Sequence, residues 1–264
     1  MAFDTTHDIV PDSPTNVFAT FNGLTNLQAV SATVGLSLSD GNLKCNTFGA
    51  EGAGNNTAVS NIAIPSTGKW YAEIYLVTIA TAAATRTGVG IMNDVAAQSG
   101  TGSDFQNSSS GSAYAFHPNQ NKSYANANFS SYGSSYANGD IVRILYDATN
   151  GTLTYYINNT SQGTAFTGIT GKYFFTVGYW GTYIANFGQD HLFGGATPLP
   201  SGAGSNTPDN GIGTFAFPVP SGAKALCTAN IQSDLAMDPV VDDLPEDYFK
   251  CVKYNGVSTG GGNF

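Results

Sequence analysis

The sequence predicts an all-β protein: an antiparallel two-sheet β-sandwich followed by an extended C-terminal tail. Three observations predict it. First, apolar residues alternate with period two in several segments, as in Trp70, Ala72, Ile74 and Leu76, or Val142, Ile144 and Tyr146. Second, turn residues punctuate the chain at spacings of about 10 residues, as strands joined by tight turns require. Third, only 10% of residues are charged, while the chain holds 32 Gly, 14 Tyr and 16 Phe. Small turn-formers and aromatic rings suit pleated, half-buried surfaces.

Taken in order, residues 1–16 are polar, carry Pro11 and Pro14, and read as an N-terminal arm. The sandwich is expected over 17–195. Leu36 and Leu38 alternate before an Asp40-Gly41-Asn42 turn, and Leu43 and Cys45 after it, which is a hairpin signal. Residues 51–60 read as a loop and 59–65 as a short strand. The first long strand is Gly68 to Ile79. Trp70, Ala72, Ile74 and Leu76 form its core face, while the opposite face carries Tyr71, Glu73, Tyr75 and Val77. Residues 88–93, GVGIMN, form a short buried strand whose glycines imply close backbone packing or a bulge.

Residues 94–139 change character, with Ser, Gly, Asn and Tyr loops around a strand at SAYAFHP. The strand 141–146 is covered on both faces, and Asp147 to Gly151 is a tight turn. Leu153, Tyr155 and Ile157 alternate next, then an Asn158-Asn159 turn, a short segment at GTAF, and strands at 173–179 and 183–187. Residues 196–223 are rich in Gly, Pro and Ser and read as a linker or an extended wrap, with one edge strand at Thr214–Phe217. Residues 224–264 form a C-terminal segment that reads as the start of a further module, with strands at KALCTANI and FKCVKYNG and a helical turn at LPEDYFK.

Charge narrows the classes of function. The net charge is −9 with nine Lys plus Arg and no basic cluster. Neither nucleic acid nor an anionic membrane surface is an expected partner, because both need several cations together. Acidic residues concentrate at the ends, at Asp4, Asp8 and Asp12 and again between Asp234 and Asp247, where they serve solubility. Cys45, Cys227 and Cys251 are widely spaced, without a CxxC knuckle; a Cys227–Cys251 disulfide is one option and three inert thiols the default. The N-terminus lacks the basic start and apolar run of a secretory signal, and no apolar stretch has membrane-helix length.

Catalysis is not expected. A glycosidase needs two carboxylates at a fixed separation, yet Glu51, Glu73 and six aspartates between 17 and 195 form no Asp/Glu-x-Asp/Glu pair. Glu73 reads as an exposed edge residue. His7, His117 and His191 are scattered, so no metal and no cofactor are anticipated. For binding, the candidates are Phe105, Tyr124, Phe129, Tyr132, Tyr136, Trp180 and Tyr183. Rings set in polar loops supply contact area at low entropic cost. The loops 97–113 and 128–138 are the expected contact surface.

The motifs GKWYAEI (68–74), GVGIMN (88–93), NGDIVRILYDATNGTLTYYINN (138–159), GTAF (163–166) and YIANFGQ (183–189) resemble a SPRY domain over about residues 17–195. That family implies a concanavalin-like jelly-roll sandwich that binds without catalysis, through loops at one end. A narrower resemblance joins DSPTNVFATFN near the start to KALCTAN and YFKCVKYNG near the end. It is similar to virion proteins of tailed bacteriophages. It implies a tail fibre or appendage subunit, a homotrimer, located in the virion and assembled in the host cytoplasm. Its partners would be other tail or capsid proteins and a host-surface glycan or protein receptor. A capsid decoration or head-fibre protein, and an intracellular SPRY interaction module, are the alternatives.

Overall fold

The computed structural model describes residues 16–23, 35–48, 57–79, 87–93, 113–124, 128–178 and 180–232. Asp40, Gly41 and Asn42 take φ of 52°, 63° and 64°. These three residue types tolerate that region, so the turn forms here. It joins β1 (Gly35–Ser39) antiparallel to β2 (Lys44–Phe48), with Ser39 opposite Lys44. β3 is Thr57–Val59, β4 Lys69–Ile79 and β5 Gly88–Asn93. β6 (Ala113–His117), β7 (Asn121–Tyr124) and β8 (Asn128–Ser131) form a meander. β9 (Ile141–Asp147) and β10 (Thr152–Ile157) flank the Asp147–Gly151 turn. There the Asp147 carboxylate accepts both the backbone N–H and the side-chain amide of Asn150. β11 (Thr160–Phe166), β12 (Tyr173–Gly178), β13 (Gly181–Asn186) and β14 (Ala223–Ala225) complete the strands.

The larger sheet runs β1-β2-β13-β4-β9-β10-β11, with β14 also on β4; the smaller runs β3-β12-β5-β6-β7-β8. The expected sandwich is therefore the observed fold. Trp70, Ala72, Ile74 and Leu76 of β4 face Val89, Ile91, Phe116, Phe175 and Val177 of the smaller sheet in one buried cluster. The Trp70 indole N–H donates to the Thr67 carbonyl at 2.7 Å, so the ring is buried without stranding its polar atom.

Two expectations change. β4 is a central strand, between β13 and β9, so Glu73 is not an edge residue; it is 0% exposed. Of the two readings of residues 196–223, a linker or an extended wrap, the second describes the structure. These residues lie across the outer face of the larger sheet. Phe215, Ala216 and Phe217 are buried against Tyr71, Tyr75, Ile141 and Ile184. Burying two phenylalanines this way stabilises by roughly 2 kcal/mol each.

The expected strand at Thr214–Phe217 is reduced to a bridge between Asn206 and Phe215, because the Ala216 and Phe217 N–H groups bond the Glu73 carboxylate instead of a ladder. β13 ends at Asn186, opposite Glu73, which leaves Lys69 to Tyr71 unpaired on that side. β14 fills that gap in parallel, with Ala223 opposite Lys69 and Ala225 opposite Tyr71. Beyond it a short helix, Thr228–Gln232, starts where the Thr228 and Val17 backbones meet. The readings at LPEDYFK, at FKCVKYNG and of Cys251, with all of the arm 1–16 except Asn16, lie outside the described residues.

Candidate functional site

The β6–β8 meander and the β10–β11 hairpin meet along one side of the sandwich, and their edge groups close it. β11 is the outer strand of its sheet, so its outward carbonyls need donors. The Tyr132 hydroxyl donates to the Gly163 carbonyl at 2.6 Å, and the Lys122 ammonium donates to the Ala165 carbonyl. The Ser134 N–H donates to the Gln162 side-chain oxygen at 2.8 Å. Lys122 also stands 5.3 Å from the Tyr132 ring centre and 5.0 Å from that of Phe166. Burial lowers its pKa from the ordinary amine value. Lys122, Tyr132, Gln162 and Phe166 are half-buried, which leaves a cationic and aromatic seam open to a partner.

The seven aromatic candidates separate. Tyr132 belongs to this seam, with its ring edge-on to Phe116 at 5.1 Å. Phe129 is half-buried on the outer face of the smaller sheet, 5.3 Å from the His117 ring. Trp180 is half-buried with φ of 46°. Tyr124 sits in β7 opposite Tyr114 and Asn128, and its side chain is outside the described residues, as is all of Phe105. Tyr136 and Tyr183 are corrections: they are 3% and 0% exposed. Their hydroxyls donate to the carbonyls of Phe116 and Gly178, so both are posts of the core.

The flanks of the two expected loops also do not converge, and residues 97–112 lie outside the described residues. Asn138 accepts from the Ile79 N–H, at the far end of β4. Asn93 pairs with Tyr173, whose ring packs on Tyr146 near the Lys69 end, and Ala113 pairs with the neighbouring Met92. The residues that flank 94–112 therefore stand at the opposite end from 132–140.

Sequence reasoning missed two buried polar constellations. The first is centred on Glu73. Its carboxylate accepts from the Ala216 N–H at 2.7 Å, the Phe217 N–H at 3.0 Å and the Tyr71 hydroxyl at 2.8 Å. Arg143, directly across the sheet, donates to the Tyr71 hydroxyl at 2.6 Å, to the Asn158 carbonyl at 3.1 Å and to the Pro218 carbonyl at 2.5 Å. Desolvation raises the Glu73 pKa, opposed by its N–H and hydroxyl donors and by the Arg143 charge. Tyr71 thus relays between a buried anion and a buried cation, and together they hold the wrap down. The available signal was Phe215 and Phe217 alternating inside a Pro/Gly-rich run, since such rings need a surface.

The second pairs His117 with Ser123. The imidazole Nδ1 lies 2.8 Å from the Thr87 carbonyl and Nε2 2.6 Å from the Ser123 hydroxyl. A carbonyl cannot donate, so Nδ1 carries the proton and Nε2 accepts from Ser123. This is the orientation of a nucleophile and its base. Both side chains are buried, at 0% and 1% exposure, and burial pushes the imidazole pKa down to about 4. The pair is a satisfied internal contact that offers no hydroxyl to solvent.

Comparison with known proteins places residues 69–190 on the family profile of the SPRY domain. Among solved structures, the chain is similar to the SPRY domain of human HERC1, at 15% identity and TM-score 0.46, covering 57% of this chain and 91% of that one. It is similar to the TRIM65 PSpry domain at 14% identity and TM-score 0.45, covering 64% and 92%. It is also similar to stonustoxin at 14% identity and TM-score 0.43, covering 64% of this chain and 26% of that one. No curated protein matches. Neither the profile match nor these structures carries the bacteriophage assignment.

Proposed function

We propose that this chain, with a SPRY domain over residues 69–190, is a non-catalytic interaction module that docks a protein partner on its β7–β11 seam. The family match supports the class, since SPRY domains are typically protein-interaction modules. The seam supports the location. It joins a cation, Lys122, to two half-buried rings, Tyr132 and Phe166, on an otherwise acidic and lightly charged protein. Half-buried aromatic rings beside a cation are the usual anchors of a protein interface. The favoured partner presents apolar side chains with an acidic group facing Lys122. The narrower reading as a virion fibre subunit rests on the resemblance of residues 12–22 and 224–256, and no observation favours it over the interaction module.

The test is a selection from a yeast-displayed peptide library against the full chain, followed by mapping with Ser130→Arg. Ser130 is exposed and lies directly across from Lys122, so the substitution blocks the seam without removing a core contact. Selected binders should lose at least about tenfold in affinity, equivalent to roughly 1.4 kcal/mol. Binders that tolerate both Ser130→Arg and Lys122→Ala would place the interaction elsewhere and end this reading.

A further inference from the structure

The paths of the two sheets end in four strands: β1 and β11 in the larger, β3 and β8 in the smaller. Three of these edges are blunted. β11 shifts register against β10, and Tyr132 and Lys122 donate to its carbonyls. β3 holds only three residues and β8 four. β1 has none of these protections. Its register with β2 runs unbroken from Gly35 opposite Phe48 to Ser39 opposite Lys44. Its sequence, GLSLS, holds no proline and no charge. Bulges, charges, proline and brevity keep edge strands from pairing with other chains, and a regular uncharged edge is a template for another strand.

The backbone groups on the open side of β1 belong to Leu36 and Leu38. On β2, the Leu43 carbonyl accepts from the Ala185 N–H at 2.8 Å, so it points at β13. In a trans peptide the following N–H points the opposite way, which turns Lys44 toward β1. Backbone groups alternate sides from there along an antiparallel strand. Lys44, Asn46 and Phe48 thus face β1, where they stand opposite Ser39, Ser37 and Gly35. The N–H and C=O groups of Leu36 and Leu38 are left pointing away from β2. Among the described residues β1 pairs with β2 alone.

The side chains suit a two-fold axis. Leu36 and Leu38 are half-buried and pack on the core cluster, while Ser37 and Ser39 are exposed. Leu-Ser-Leu reads the same in both directions. A second β1 laid antiparallel about Ser37 sets Leu36 against Leu38 of the second copy, and Ser37 against its own counterpart. Both leucine pairs are then of the hydrogen-bonded kind, so each outward N–H and C=O gains a partner. The leucines continue the apolar layer across the axis and the serines stay on the outer face. A foreign strand would have to bring the same alternation in the same register; a second copy supplies both by symmetry. The net charge of −9 on each chain opposes association, but β1 carries none of it, and screening over about 8 Å at physiological ionic strength weakens the rest.

We propose that two copies of this chain associate through β1 about a two-fold axis, joining their larger sheets into one. β1 and β11 end that sheet on opposite sides. Pairing therefore leaves the β7–β11 seam of each copy open, and it does not depend on what the seam binds. A contact built on one short strand belongs to the weak class of interfaces, with a dissociation constant of about 10 to 100 μM.

Sedimentation equilibrium of the full chain from about 1 to 300 μM brackets that affinity and tests the pairing. The average mass should rise reversibly from that of one chain toward that of two. Ser37 stands on the axis, in a pair of the kind whose side chains come closest. Ser37→Lys sets two like charges face to face there, and Ser37→Glu does so with the other sign. Each should weaken association at least about fivefold at low salt and leave the melting temperature unchanged, because Ser37 is exposed. Mixed in equal amounts, the two variants should recover the dimer, since a contact centred on Ser37 places Lys against Glu. One chain at every concentration overturns the proposal, and so does a trimer. Dimers that both substitutions leave intact put the contact elsewhere and overturn it as well. A mixture of the two variants that stays monomeric removes the Ser37-centred register and the proposal with it.

Discussion

Individual residues in this protein are decided by what lies on the far side of a strand. Glu73 and Arg143 each sit among apolar neighbours in their own strands, and each is compensated by the other through Tyr71 and by wrap backbone. His117 is held neutral between Thr87 and Ser123. The two titratable groups act oppositely on stability. The His117 pKa falls from the ordinary 6.5 to about 4 on folding. The unfolded chain therefore binds the proton first as pH falls. The stabilisation from neutral His117 is fully present above about pH 6.5 and is lost progressively down to about 4, a loss of about 3 kcal/mol at most. Glu73 has the other sign: its pKa is raised, so the folded state holds the proton longer and this contribution weakens as pH rises out of the carboxylate range. Urea unfolding at several pH values, compared with His117→Asn, isolates the histidine. Asn keeps a donor for the Thr87 carbonyl and cannot titrate, so its stability should be flatter below pH 6.5; an identical slope in both proteins would remove His117 as the cause.

At the level of elements, turn chemistry and alternation carried most of the placement. The Asp40-Gly41-Asn42 and Asp147–Gly151 turns stand where their residues require, and β4, β9, β10 and β12 follow the period-two pattern. The glycines of GVGIMN mark a close approach. A Cβ on Gly90 would lie 1.9 Å from the Tyr114 carbonyl oxygen. Gly90 is fixed on both sides, opposite Thr176 of β12 and Ala115 of β6, so neither neighbour strand can retreat without breaking its ladder. Gly90→Ala should cost about 3 kcal/mol, as overpacking of a tight site does. Gly204→Ala, whose Cβ meets open space, should stay within about 0.5 kcal/mol. Thermal unfolding of the two variants side by side checks the contrast, and equal midpoints would show that the β5–β6 contact yields. The second face of β4 was harder to read, because Tyr71, Glu73, Tyr75 and Val77 mix ring, charge and alkyl groups. That mixture fits a solvent face as well as one roofed by other chain.

Across the whole molecule, the wrap turns a two-layer sandwich into one with a third, irregular cover. A chain ended at Gln232 keeps that cover, and one ended at Gly195 loses it. The shorter chain should bind a hydrophobic dye and lose cooperative unfolding, because Tyr71, Tyr75, Ile141 and Ile184 are stripped of Phe215 and Phe217 while Glu73 and Arg143 lose their hydrogen bonds to the wrap backbone. Equal melting temperatures for the two chains would restore the free-linker reading. The sequence by itself determined the sandwich, its main turns, the inward face of each long strand and the resemblance to the SPRY family. These are local properties: period-two alternation and turn φ angles are written in neighbouring residues. Only the tertiary structure decided that Tyr136 and Tyr183 are core, that Glu73 is buried, that the flanks of the two expected loops stand at opposite ends, and that β1 ends the larger sheet. Each of those depends on residues between 20 and 150 positions away along the chain, or on which strand end a loop leaves from. Pairing order sets both, and no local pattern records it.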